Sequence, residues 1–220
     1  MTYNAAIFDM DGLLLDTERV CMDIFKQTCQ DFNLPYLEQT YLNIIGRNEA
    51  GVEELLRLSY GETIDYPVFR KQWKQAYLNI VENEAIQVKD GVIALLNWLQ
   101  IQNIPMVVAT STNQQLALKK LAMAGLSSYF SAVTAGDEVI NGKPDPEIYL
   151  LAAKRLNVNP SMCIAFEDSN NGVKAAVSAG MQTFQIIDLV QPSEEVKALG
   201  HGIYTSMNEV LTKLKQYTHH

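Results

Sequence analysis

The sequence predicts an α/β fold: a parallel sheet with helices on both faces, interrupted by an all-helical insertion. Three observations predict it. Short apolar runs ending in polar or turn-forming residues recur along the chain, as buried strands do. Amphipathic stretches of helical length alternate with them, the pattern of a parallel sheet joined by crossover helices. One long region, 17–83, carries helical patterns and no strand signal.

The first strand is Ala5-Ala6-Ile7-Phe8, which ends abruptly in Asp9-Met10-Asp11-Gly12. Later strands are Met106 to Ala109, Ser131 to Thr134, Cys163 to Phe166 and Thr183 to Ile187. Helices are expected from Val92 to Gln100, Gln114 to Ala124, Pro146 to Leu156 and Gly172 to Ala179. Within 17–83 the helical stretches fall near 18–32, 49–59 and 66–82, punctuated by Leu34-Pro35 and Tyr66-Pro67. The expected division is therefore a sheet domain of 1–16 with 84–220, and a helical domain of 17–83. An insertion just after the first strand stands over the carboxyl ends of the strands, where ligands bind in open α/β sheets.

With 220 residues, 48% hydrophobic and 19% charged, the chain can bury a sizeable core plus a small accessory one. Its net charge of −8 argues against non-specific nucleic-acid binding and against an anionic membrane surface. Neither partner is expected, and a monomer is. The cysteines are three (Cys21, Cys29 and Cys163), an odd number with no metal-ligand spacing, which fits a reduced, cytoplasmic compartment. The start Met-Thr-Tyr-Asn shows no signal peptide, and no stretch is long enough to span a bilayer. Histidines occur only at 201, 219 and 220, so histidine-based chemistry has little to work with.

Four polar clusters follow apolar strands: Asp9-Met10-Asp11-Gly12, Thr110-Ser111-Thr112-Asn113, Gly142-Lys143-Pro144-Asp145-Pro146 and Glu167-Asp168-Ser169-Asn170-Asn171-Gly172. Each alone has an ordinary explanation. Asp and Gly favour turns, and Thr, Ser, Asn and Asp cap helices. In a parallel sheet, however, all four emerge on one edge, so carboxylates, a lysine and hydroxyls converge on one crevice. Two carboxylates from different loops suit a hard cation such as Mg²⁺. Lys143 and the cation would neutralise a phosphoryl group, and Thr110 and Ser111 at a helix start suit phosphate oxygens. One aspartate could then attack phosphorus while the other moves the proton.

These clusters resemble the four motifs of the haloacid dehalogenase superfamily, and within it the phosphatase and beta-phosphoglucomutase-like subfamily. Phe8 to Glu18 resembles the first motif, Val108 to Thr112 the second, Gly142 to Tyr149 the third and Phe166 to Ala176 the fourth. The resemblance implies a Rossmann-like core and a mobile helical cap that closes over substrate. It implies that Asp9 is the nucleophile and a Mg²⁺ ligand, and that Asp11 is the general acid/base, with its backbone carbonyl on the metal. Thr110 and Lys143 would bind the transferring phosphoryl group, joined by Ser111 and Gly12. Asp168 would complete the metal ligands, with Glu167 close by. Arg47, Asn48, Asn171 and Glu18 are the candidates for substrate specificity.

Departures from the family pattern narrow the activity. Phosphomutases of this subfamily carry a histidine early in the first cap helix, where this chain has Val20, Cys21 and Met22. Dehalogenases lack the second aspartate, which is present here as Asp11. Phosphonate-cleaving members use a cap lysine, and Lys26 does not stand in that context. The expected activity is hydrolysis of a small phosphorylated metabolite, a sugar or polyol phosphate, with Mg²⁺. The alternatives are a sugar phosphomutase and a non-catalytic binding module.

Overall fold

The computed structural model describes residues 3–47 and 49–218. In chain order, β1 (Ala5–Phe8) is followed by helices α1 (Thr17–Asp31), α2 (Glu38–Ile44), α3 (Glu49–Tyr60) and α4 (Tyr66–Asn83). Then come α5 (Val92–Ile101), β2 (Met106–Ala109), α6 (Gln114–Met123), β3 (Ala132–Thr134), α7 (Glu147–Arg155) and β4 (Cys163–Glu167). The chain continues with α8 (Asn170–Ser178), β5 (Gln182–Ile186), α9 (Glu194–Lys197), β6 (Gly202–Tyr204) and α10 (Met207–Thr218). It divides into two compact units, Met1–Asp16 with Ala85–His220, and Thr17–Glu84. The second boundary falls one residue beyond the expected one.

In the larger unit, six parallel strands run in the order β3-β2-β1-β4-β5-β6. From β1 the chain works outward to β3, then crosses back to β4 on the other side. The order thus reverses at β1, and a crevice opens there at the carboxyl edge. The central strands β1, β2 and β4 are buried along their whole length, as near-continuous apolar runs require. One face packs Ile7, Val107, Ala109 and Ala165 against Ile148, Ala152 and Ala176 from α7 and α8. On the other, Phe8 stacks on Phe166 with ring centroids 4.4 Å apart, and Phe184 extends the row. The chain leaves and re-enters this unit through paired segments: Asp16 N donates to Gln87 O, and Lys89 N to Leu14 O.

The smaller unit's described elements are all helices. Its core is aromatic: the Phe25 ring lies 5.0 Å from Trp73, 5.2 Å from Tyr41 and 5.6 Å from Phe69, mostly edge to face. Pro67 stands in the first turn of α4, where its missing N–H costs nothing, and Asp65 caps that helix by accepting from Val68 N.

The strand near 131–134 begins one residue later than expected, and the strand near 183–187 one residue earlier. The short elements α2, α9 and β6, and the longer α10, extend the expected architecture. No helix among the described residues is long and apolar enough to cross a membrane.

Candidate active site

Register assembles the site. Phe8 pairs with Val108 on one side and Phe166 on the other, so the next residue, Asp9, emerges between the ends of β2 and β4. Asp9 N donates to Phe166 O at 3.0 Å, and Thr110 N donates to Thr134 O at 3.0 Å. Past β1 the chain turns sharply. Gly12 takes φ +82°, a conformation glycine reaches without steric cost, and its N–H donates to Leu15 O. Gly12 was expected among the phosphate-binding residues. In the structure that N–H closes the turn, and Gly12 lies in the loop that carries Asp9 and Asp11.

Lys143 lies at the centre. Its ammonium donates to Asp9 Oδ1 and Glu167 Oε1, each at 2.6 Å, and to Ala109 O at 3.1 Å. Glu167 is fully buried, and Tyr149 donates its hydroxyl to the same Oε1 at 2.8 Å. The other oxygen, Oε2, accepts from Asp168 N, Ser169 N and Ser169 Oγ. The loop bearing Lys143 is tied to α7 by Glu147, which accepts from the backbone N–H groups of Ile140 and Asn141. Those two bonds hold the Glu147 carboxyl below its ordinary value.

The electrostatics follow from burial. Desolvation pushes the Asp9 carboxyl up to about 8, against the pull of Lys143 and with a further push from Glu167. Burial also disfavours the Lys143 ammonium, but the charges and hydrogen bonds of Asp9 and Glu167 together outweigh it and raise it above the ordinary lysine value. Burial and the neighbouring Glu167 hold the Tyr149 phenol far above its usual range. Carboxylate oxygens of Asp9, Glu167 and Asp168 lie within 4.8 Å of one another. Three carboxylates against one ammonium, all offering hard oxygen, fit a divalent cation of the Mg²⁺ type. Glu167 belongs to this group by distance, yet both its oxygens already accept from protein donors.

Asp11 sits at the rim, its side chain 23% exposed. Its Oδ2 accepts from Thr112 Oγ1 at 2.7 Å, and its Oδ1 from Lys120 Nζ at 2.7 Å. Thr110 is buried at the end of β2, and its hydroxyl accepts from Thr112 N. Ser111 is exposed in the same loop. Helix capping falls to Asn113, which accepts from Leu116 N, and to Ser169, which accepts from Gly172 N; Thr110 and Asp168 are not used as caps.

The expected specificity residues fall in both units. Asn171 is half-buried in the first turn of α8. Glu18 and Arg47 belong to the helical unit, where Arg47 Nε donates to Asn43 O at 2.7 Å. Asn48 lies outside the described residues. Four contributors were given no role from the sequence: Lys120 and Gln185, together with Thr112 and Tyr149, which stood within the second and third motifs. Gln185 Nε2 donates to Asp168 O at 3.1 Å, and Gln185 Oε1 pairs with His201 Nε2 at 2.8 Å. Lys120 left a different sign, a lysine within the apolar stripe of Ala117 and Leu121.

Comparison with known proteins agrees with this geometry. A model of the haloacid dehalogenase-like hydrolase family matches residues 6–186. The chain is 35% identical to a phosphorylated carbohydrates phosphatase of Thermotoga maritima, covering 96% of this chain and 98% of that one. It is 30% identical to a fructose-1-phosphate phosphatase of Escherichia coli, covering 84% of this chain and 96% of the relative. A T. maritima crystal structure described as a candidate beta-phosphoglucomutase superposes with a TM-score of 0.79 at 33% identity, covering 98% of this chain and 99% of that one. A family match through both halves of the sheet, with relatives matched over most of their own length, gives the assignment: the chain belongs to the haloacid dehalogenase-like hydrolases.

Proposed function

We propose that the chain hydrolyses a phosphomonoester of a small phosphorylated metabolite, a sugar or polyol phosphate, through a phosphoryl group carried on Asp9. The observation that carries the reading is Lys143 Nζ held 2.6 Å from Asp9 Oδ1, within a group of three carboxylates. A lysine so placed can meet phosphoryl oxygens arriving at Asp9.

In the first step an Asp9 oxygen bonds to phosphorus, the bond from phosphorus to the ester oxygen breaks, and Asp11 gives its proton to the departing oxygen. In the second, water bonds to phosphorus, Asp11 takes up its proton, and the bond to Asp9 breaks, releasing inorganic phosphate. Thr110 and Ser111 donate to the phosphoryl oxygens. Asp9, Asp168 and the Asp11 carbonyl would hold Mg²⁺, whose charge offsets that of the phosphoryl group as an anionic nucleophile approaches. Glu167 orients Lys143. The residues proposed to set specificity are Arg47, Asn48 and Glu18 of the helical unit, read as the cap, and Asn171 of the larger unit.

Relatives named for phosphorylated carbohydrates and for fructose 1-phosphate support a sugar-like leaving group. The likeness to a candidate mutase keeps phosphoryl transfer to a second hydroxyl as the alternative. A mutase must shield the phosphorylated aspartate from water and bind a bisphosphate in two orientations, and residues 17–84 contain no histidine for that task. The test follows free phosphate and positional isomers from hexose phosphates with and without Mg²⁺. Net phosphate release without a bisphosphate primer is expected. Isomer interconversion outpacing that release would reverse the assignment.

A further inference from the structure

Lys120 is the feature of the site that the chemistry above leaves unused. It stands two turns into α6, and its side chain is only 1% exposed. A buried ammonium is costly unless paired and hydrogen-bonded. Here it reaches Asp11 Oδ1 at 2.7 Å, across 109 positions of sequence. Thr112 Oγ1 takes the other oxygen at 2.7 Å. Thr112 is itself fixed, because its N–H donates to Thr110 Oγ1 and its carbonyl accepts from Gly136 N. Gly136 has to be glycine, since a Cβ there would collide with the Ser111 carbonyl. The segment from β2 into α6 thus grips the Asp11 carboxylate by both oxygens.

We infer that Lys120 is a positioning residue for proton transfer: with Thr112 it fixes the plane and direction of the Asp11 carboxylate relative to the ester oxygen. The inference rests on the phosphomonoesterase reading, in which Asp11 supplies a proton to the leaving group. It has a consequence that packing alone lacks. An alkoxide leaves poorly without a proton, whereas a nitrophenolate leaves readily without one. Loss of Lys120 therefore penalises alkyl phosphates far more than aryl phosphates.

The experiment compares kcat/KM for p-nitrophenyl phosphate and for hexose and glycerol phosphates, with Mg²⁺, in wild type and in Lys120→Met. This parameter reports the steps through phosphorylation of Asp9, and so isolates the proton given to the leaving oxygen. Positioned proton transfer contributes about 10²–10⁴-fold, and losing part of it should raise the aryl-to-alkyl ratio by about 10–100-fold. In an Asp11→Asn background, Lys120→Met should leave the ratio unmoved, because Lys120 acts through Asp11. Circular dichroism and the unfolding midpoint report folding. Lys120→Gln, which keeps a donor and loses the charge, reads the same ratio where Lys120→Met does not fold. An equal loss on both ester classes, undiminished alkyl turnover, or a further shift of the ratio in the Asp11→Asn background would overturn the inference. Wild-type enzyme that releases phosphate from neither class would instead overturn the phosphomonoesterase reading.

Discussion

The Glu167 carboxylate fills the space in which a side chain at Gly172 would begin: a Cβ on Gly172 would overlap both Glu167 oxygens. The start of α8 is thereby pressed against the anion that orients Lys143. Overpacking of this kind costs about 1–3 kcal/mol, and here relief requires Glu167 to move. Gly172→Ala is expected to lower the unfolding midpoint and to reduce phosphate release by more than its effect on stability alone, because Lys143 loses an anchor. A variant with wild-type turnover would detach Glu167 from the mechanism.

Tyr149 tests the same anchor more gently. Its hydroxyl donates to Glu167 Oε1 at 2.8 Å in a buried setting. Tyr149→Phe removes that donor while keeping the ring, at an expected cost of about 1–3 kcal/mol in denaturant unfolding. Glu167 retains Lys143 and three other donors, so turnover is expected to fall less than in Glu167→Gln, which weakens every one of those bonds at once. Equal turnover in the two variants would contradict this order.

The grouping of the candidate site residues was legible because a strand ends where its apolar run ends. Asp9, Thr110 and Glu167 each stand at or just past such an end, and parallel pairing brings them to one edge whatever the helices do. Lys143 was legible as the lysine of a loop between a strand and a helix. Tyr149 and Lys120 were not, because they lie inside α7 and α6 on buried faces. On such a face a tyrosine reads as core, and a lysine as an exception with no named partner. The direction in which a helix face points toward a strand end is a tertiary fact. In the fold, β6 and α9 were hidden by length, being three and four residues long. The helix α10 did carry a readable apolar spacing in Met207, Val210, Leu211 and Leu214, yet the expected elements ended at Ile187. For Gly12 the sequence named the residue, while the hydrogen bond its N–H makes within the turn is visible only in the structure.

Stability should depend on pH through Asp9. Its carboxyl is raised from 3.8 to about 8 in the folded protein without metal. Over that window the folded state holds a proton that the unfolded chain has released, so stability falls as pH rises. The contribution is complete below about 3.8 and lost above about 8. Asp9→Asn removes it. In chelator the variant should therefore gain on wild type between about pH 5 and pH 9, by at least the roughly 2–4 °C that ~1 kcal/mol gives at this size. Mg²⁺ competes with the proton, so it should raise the wild-type midpoint more at the higher pH. Parallel melting curves across the range would contradict the burial argument.

The central claim is that Asp9 carries the phosphoryl group, and its most direct test is covalent. Enzyme is mixed with a hexose phosphate and Mg²⁺, quenched in acid within a turnover, digested and analysed by mass spectrometry. The expected result is one phosphoryl group on the peptide containing Asp9, absent when chelator replaces Mg²⁺ and absent in a folded Asp9→Asn protein that also releases no phosphate. An Asp9→Asn protein that folds and turns over at the wild-type rate, or wild-type enzyme that phosphorylates another residue, would contradict it.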